Sequence, residues 1–139
     1  MNDDRISFLE PEWLERYMEL LNQNESYKDA AHDWEGDFVF QIDADGETIK
    51  EPVRSYIDLW HGVCRAVREA GPDEEAEFVY SGPLKNWKLL LEGKIDPIKG
   101  LMARKFKLVG DYGKVMRYTK AAAELVATAA KIPTKFPDE

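Results

Sequence analysis

Residues 90–111 read LLEGKIDPIKGLMARKFKLVGD. Leu84, Trp87, Leu90 and Leu91 lie at helical spacing and predict a helix that Gly93 ends in a left-handed turn. Asp96 then caps, and Pro97 takes the first position of a short helix whose Ile98, Leu101 and Met102 are expected to face inward. Residues 105–109 revert to strand alternation, with Phe106 and Leu108 on one face. Gly110-Asp111 turns the chain, and Asp111 caps a long final helix predicted from Tyr112 to Lys131, which Pro133 ends. Its expected inner stripe is Val115, Met116, Thr119, Ala122, Ala123, Val126 and Ala130. The quoted stretch contains no Ser, Cys or His, so it reads as architecture rather than as a nucleophile's setting.

Upstream, Pro11 opens a helix whose Trp13, Leu14, Tyr17, Met18, Leu20 and Leu21 form a wide apolar face. A short second helix is predicted from Glu25 to His32, anchored by Tyr27, Ala30, Ala31 and Trp34. The period changes to two after Gly36. Phe38, Phe40 and Ile42 share a face, and Val53–Trp60, Val63–Glu69 and Ala76–Ser81 read as three further strands. Three adjacent strands with short links predict antiparallel hairpins. The order α–α–β–β–β–β–α–α–β–α gives an α+β domain, with helices gathered on one face of a mostly antiparallel sheet. At 139 residues, 1–139 is read as a single domain.

Composition excludes several classes. The chain is 44% hydrophobic and 33% charged, which marks it as globular rather than disordered. One Cys allows no internal disulfide, and the acidic start MNDDRISFLEPEW lacks the apolar core of a secretory signal. No run approaches the roughly 20 apolar residues of a membrane span, so a cytoplasmic location is expected. The net charge is −8, yet Lys85–Lys120 carries ten basic residues against three acids, a local net of +7. That stretch reads either as a solvated face or as a basic rim for an anionic head group or membrane surface. Nucleic acid is not an expected partner, because the chain is acidic and carries no recognition motif.

Catalytic signals are weak. His61 and Cys64, three apart in a predicted strand, fall on opposite faces and make a poor dyad. His32 beside Asp29 and Asp33 reads as a solvated polar face, and the scattered His and Cys lack zinc-ligand spacing. Asp43, Asp45 and Glu47 around Gly46 fit a hairpin turn better than a calcium loop. No phosphate-binding glycine motif occurs. Neither a cofactor nor a metal is expected, and the chain is not expected to be an enzyme. What remains is apolar: Trp87, Leu90, Leu91, Met102, Phe106, Met116 and Val126 against strand faces at Phe38, Phe40, Ile57, Leu59, Phe78 and Tyr80. Residue types alone leave both a filled core and a tunnel open.

Taken together, these segments resemble the sterol carrier protein type two family. In that family an apolar helix ends in Gly-Lys, Asp-Pro opens a short helix carrying a Met, and a strand ends in Gly-Asp before a last helix. Gly93, Lys94, Asp96, Pro97, Met102, Gly110 and Asp111 match position by position, and the entry DWEGDFVFQI into the sheet is similar. The chain departs at Gly100–Arg104, where the family often has a small-residue, Phe-Met-Gly-like run. The resemblance implies a five-stranded sheet, helices on one face, and an apolar tunnel between the layers. It implies a carrier of fatty acid, acyl-CoA ester or sterol-like lipid, with Phe106 and Leu108 joining the apolar residues above as the lining. Tyr17, Tyr80, Thr119 and Gln41 are then the candidates to orient a head group. A small-ligand sensor, or an accessory domain presenting a substrate to a partner enzyme, is the alternative on the same fold. Transient contact with an anionic membrane and pairing with a second copy are the partners that stay open.

Overall fold

The period change read at Gly36 is where the sheet begins. In the computed structural model, which describes residues 3–139, the order is β1 (Ile6–Ser7), α1 (Pro11–Asn22), α2 (Glu25–Ala30), β2 (Glu35–Ile42), β3 (Val53–Trp60), β4 (Val63–Glu69) and β5 (Phe78–Gly82). It continues with α3 (Leu84–Leu91), α4 (Pro97–Met102), β6 (Lys107–Val109), α5 (Tyr112–Met116), α6 (Thr119–Ala129) and β7 (Thr134–Lys135). Five strands form one sheet in the order β4-β3-β2-β5-β6, and β1 and β7 form a separate two-stranded parallel clasp.

β2, β3 and β4 are the expected antiparallel hairpins. Their tightest link is Trp60-His61-Gly62-Val63, where His61 (φ 51°) and Gly62 (φ 79°) both have positive φ. A two-residue turn of that kind matches the right-handed strand twist. Gly62 is needed twice over, since a Cβ there would lie 2.7 Å from the Lys28 carbonyl oxygen. Arg65 is an extra residue on β4, between the Asp58–Ala66 and Leu59–Cys64 pairs. The fourth strand departs from the hairpin pattern. Residues 70–77 carry the chain across both β3 and β2, so β5 pairs parallel with β2 and antiparallel with β6.

All six helices lie on one face. Asp96 accepts from the amides of Ile98 and Lys99 at 2.9 Å, and Asp111 from the amide of Lys114 at 3.1 Å, as their cap positions require. At the end of α3, Lys94 N–H donates to Leu89 O at 2.9 Å and Gly93 N–H to Leu90 O at 3.1 Å, with Gly93 at φ 77°. Those are the paired bonds of a left-handed helix stop. Residues 112–131 do not form the single helix that their alanine-rich pattern suggests. Tyr118 adopts φ −119°, ψ 43° and sets its ring edge-on to Trp34, 4.8 Å between centroids, which separates α5 from α6. The break rotates the stripe, so Ala121, Thr128 and Ala129 are buried while Thr119, Ala123 and Ala130 are exposed.

The core lies between helices and sheet. Asn22, the last residue of α1, ties that helix to β4: its Nδ2 donates to Cys64 O at 2.9 Å and its Oδ1 accepts from Cys64 N at 2.8 Å. The opposite sheet face is polar and open, with Asp37, Tyr56, Asp58, Arg65 and Glu77 lining a surface groove. No helix among the described residues is long and apolar enough to cross a membrane.

Candidate functional site

Inward residues of β2 and β5 meet α1, α3, α4, α5 and α6 around an apolar slot of about 80 Å³. Phe38, Phe40 and Tyr80 form its floor, Trp13 and Tyr17 one wall, and Trp87, Leu90 and Leu91 another. Pro97, Ile98 and Leu101 of α4 with Val115, Ala122, Leu125, Val126 and Ala129 close the top, and Phe8 and Leu9 close one end. A second hollow of about 30 Å³, lined by Tyr27, Trp34 and Leu59 among others, adjoins it; Phe38, Val115, Ala122 and Leu125 line both.

The slot's polar atoms are already engaged. Tyr17 O–H donates to Leu125 O at 2.9 Å, and Tyr80 O–H to Pro97 O at 3.0 Å. Trp87 Nε1–H donates to Gln41 O at 3.0 Å and Trp13 Nε1–H to the Thr134 hydroxyl at 2.9 Å. What faces the slot is therefore ring carbon and alkyl side chain. Burial pushes the Tyr17 phenol well above its ordinary range, with Tyr27 and Cys64 adding to it. Burial also raises Tyr80, with Asp96 adding. Both phenols stay neutral and act as struts, Tyr17 between α1 and α6 and Tyr80 between β5 and α4.

The end near the termini is held by aromatics. Phe8 meets Trp13 edge-on at 5.0 Å and lies 5.2 Å from Phe136 and 5.8 Å from Trp87. Leu9, next to it, sits at φ 63°. The slot is narrow for a lipid. An apolar cavity of roughly 150 Å³ admits a benzene, so an alkyl chain enters here only if the walls part. Where an apolar tunnel between the layers is expected, this structure holds a slim gap.

Of the residues expected to line a tunnel, Tyr17, Phe38, Phe40, Tyr80, Trp87, Leu90, Leu91 and Val126 meet around the slot, and Leu59 lines the second hollow. The others lie elsewhere. Ile57 and Phe78 are fully buried in packed core, Phe78 stacked on Phe38 at 5.1 Å. Phe106, which stacks on Tyr80 at 4.8 Å, lines with Leu108 a groove on the outer side of α4. Met102 is 66% exposed, because the buried face of α4 is centred on Pro97 and Leu101, with Gly100 and Ile98 at its edges, and the helical turn carries Met102 about 40° beyond Ile98, outside that face. Met116 is half-buried against the core, and Thr119 is exposed by the break at Tyr118. Gln41 points away from the slot, where its Oε1 accepts from Arg54 Nε and its Nε2 donates to Asp43, both at 3.0 Å. Tyr17 and Tyr80 touch the slot, but their hydroxyls are spent on backbone carbonyls.

Sequence reasoning missed Phe8 and Leu9, whose segment has no period, and Leu125 and Ala129, whose inward position depends on the helix break. The other chemical candidates have structural roles. Cys64 is buried, and burial pushes its thiol up to about 12. His61 Nε2 lies 2.6 Å from a Glu35 carboxylate oxygen on the surface. Asp45 accepts from the amides of Glu47 and Ile49 at 2.8 and 2.9 Å, which organises the turn. Among the described residues no three His, Cys, Asp or Glu are grouped to hold a metal.

Known structures share this fold. A crystal structure of sterol carrier protein 2 superposes with a TM-score of 0.85 at 32% identity, covering 91% of this chain and 99% of that one. A conserved hypothetical protein of Thermus thermophilus gives a TM-score of 0.84 at 31% identity, covering 96% and 97%. Sterol carrier protein 2 from Yarrowia lipolytica, in its apo form, shares the fold at a TM-score of 0.58 and 18% identity, covering 88% and 98%. A search of curated proteins finds no match. The model of the SCP-2 sterol transfer family matches residues 14–123, from α1 into α6, and with it the chain belongs to that family.

Proposed function

We propose that the slot receives the hydrocarbon part of a lipid (a fatty acid, an acyl ester or a sterol-like molecule) and that the chain carries this lipid without altering it. The observation that supports this reading is the wall. Its surface is apolar, and every phenol and indole that borders it hydrogen-bonds to protein. Such a site attracts tails and has nothing free to bind a head, so the head group stays at the protein surface.

The driving force is removal of the tail from water, about 0.8 kcal/mol for each CH₂, or roughly fourfold in Kd per methylene. Parting the walls opposes it. If only a fraction of molecules holds the slot open, apparent affinity falls by that fraction. The test joins native mass spectrometry of protein purified from a lysate with displacement of a fluorescent fatty acid by fatty acids of increasing length. Co-purified lipid and a stepwise gain with length are expected. A protein that binds neither fatty-acid nor sterol probes would overturn the reading.

A further inference from the structure

α4 separates the slot from the surface. Pro97, Ile98 and Leu101 line the slot, and Leu101 also lines the outer groove with Arg104, Lys105, Lys107, Leu108 and Tyr112 and with one acid, Asp43, whose carboxylate accepts from Gln41 Nε2. The outer side of this corner combines two features. Met102 and Tyr112 are exposed apolar side chains, 66% and 41% accessible. Lys99, Arg104, Lys105 and Lys107 are exposed cations, and among the described residues none of them forms an ion pair. No acid interrupts the sequence between Asp96 and Asp111, in a chain whose net charge is −8.

Arg104 adds a third observation. It occupies the left-handed position that ends α4, at φ 59°, where Lys105 N–H donates to Gly100 O at 2.8 Å and Arg104 N–H to Leu101 O at 3.1 Å. α3 fills the same position with Gly93. Glycine takes this conformation without strain, whereas an arginine is disfavoured there. The long cation is thus held on this corner at a cost to the fold.

We propose that the corner Lys99–Tyr112 docks on an anionic lipid bilayer, with Met102 and Tyr112 dipping between head groups and the four cations over the phosphates. Docking would place the α4 wall of the slot against the membrane and make that wall the lipid's door. This rests on the lipid-carrier reading of the slot. Charge complementarity selects the partner: cations near an anionic leaflet each add about fivefold in affinity, and apolar side chains beside them suit the interfacial layer.

Flotation with vesicles of phosphatidylcholine, with and without phosphatidylserine, tests the proposal, alongside binding of a soluble fluorescent fatty acid in the absence of vesicles. The wild type should float only with phosphatidylserine vesicles, and added salt should release it. Replacing Lys99, Lys105 and Lys107 together by Gln should weaken this about a hundredfold while leaving the soluble probe bound. Arg104→Gly should raise the denaturation midpoint and still weaken flotation about fivefold, a combination that a purely structural arginine does not give. A wild type that floats with neither vesicle, or variants that float like the wild type, would overturn the proposal. So would a dimer in sedimentation that Met102→Glu dissolves, which gives the face to a second copy. Preference for immobilised polyglutamate over vesicles would likewise overturn it in favour of an acidic protein. Loss of soluble probe binding in the wild type would instead strike the carrier reading, while flotation still judges the docking face.

Discussion

Ala122→Leu should strengthen the fold and weaken ligand binding at once. Ala122 lines both the slot and the second hollow. A cavity of about 80 Å³, at about 24 cal/mol per Å³, costs the fold about 2 kcal/mol. Leucine adds three carbons at that wall and should recover part of this, up to about 2 kcal/mol, less any strain of fitting. The same three carbons displace an equal length of lipid tail. At about 0.8 kcal/mol per CH₂ the ligand loses about 2.4 kcal/mol, roughly sixtyfold in Kd. Urea denaturation measures the first effect and displacement of a fluorescent fatty acid the second. A more stable variant with unchanged probe affinity would show that the ligand lies elsewhere. A less stable variant would show that the gap has no room for three carbons, and the reasoning from its volume would fail.

Other predictions concern the frame of the site. Asn22→Ala removes both hydrogen bonds to Cys64 and leaves that backbone unpaired under α1, so it should cost about 2 kcal/mol in urea denaturation. Ser55 is fully buried on β3 with an Oγ that has no partner, so Ser55→Ala should raise stability by about 1 kcal/mol at unchanged m-value. The Cys64 thiol, pushed up to about 12 by burial, should resist Ellman's reagent at neutral pH until the chain unfolds. Because its folded value lies above the unfolded value of 9.0, the native state retains the proton that the unfolded chain releases, so this group's contribution to stability falls as pH rises from about 9 towards 12.

Much of the fold is legible in local chemistry. Gly93, the Asp96-Pro97 pair and Asp111 act at one backbone position each, and their capping and turning duties follow from residue type alone. The strand alternation of β2 and β3 is equally local. Features that depend on distant partners were harder to read. Nothing in the residues of β5 says that it pairs parallel with β2, since that follows from where residues 70–77 run. The break between α5 and α6 depends on Tyr118 meeting Trp34, 84 positions away, and it moved the inward stripe from Thr119 to Ala121, Leu125 and Ala129. The candidate site was legible in kind, as an apolar space lined by the helix face and the strand face. It was not legible in detail, because a side chain that lines a gap and one that fills a core share the same composition, as Phe38 and Phe78 do.

The central claim is that a lipid tail lies between the sheet and α6. The direct measurement is isotope-filtered NMR, detecting nuclear Overhauser effects from a ¹³C-labelled fatty acid to the methyl groups of the bound protein. The account predicts cross-peaks from the tail to Leu90, Ile98, Leu101, Leu125 and Val126. Cross-peaks confined to surface methyls such as those of Met102 and Val109, or none at all with the fatty acid bound, would contradict it.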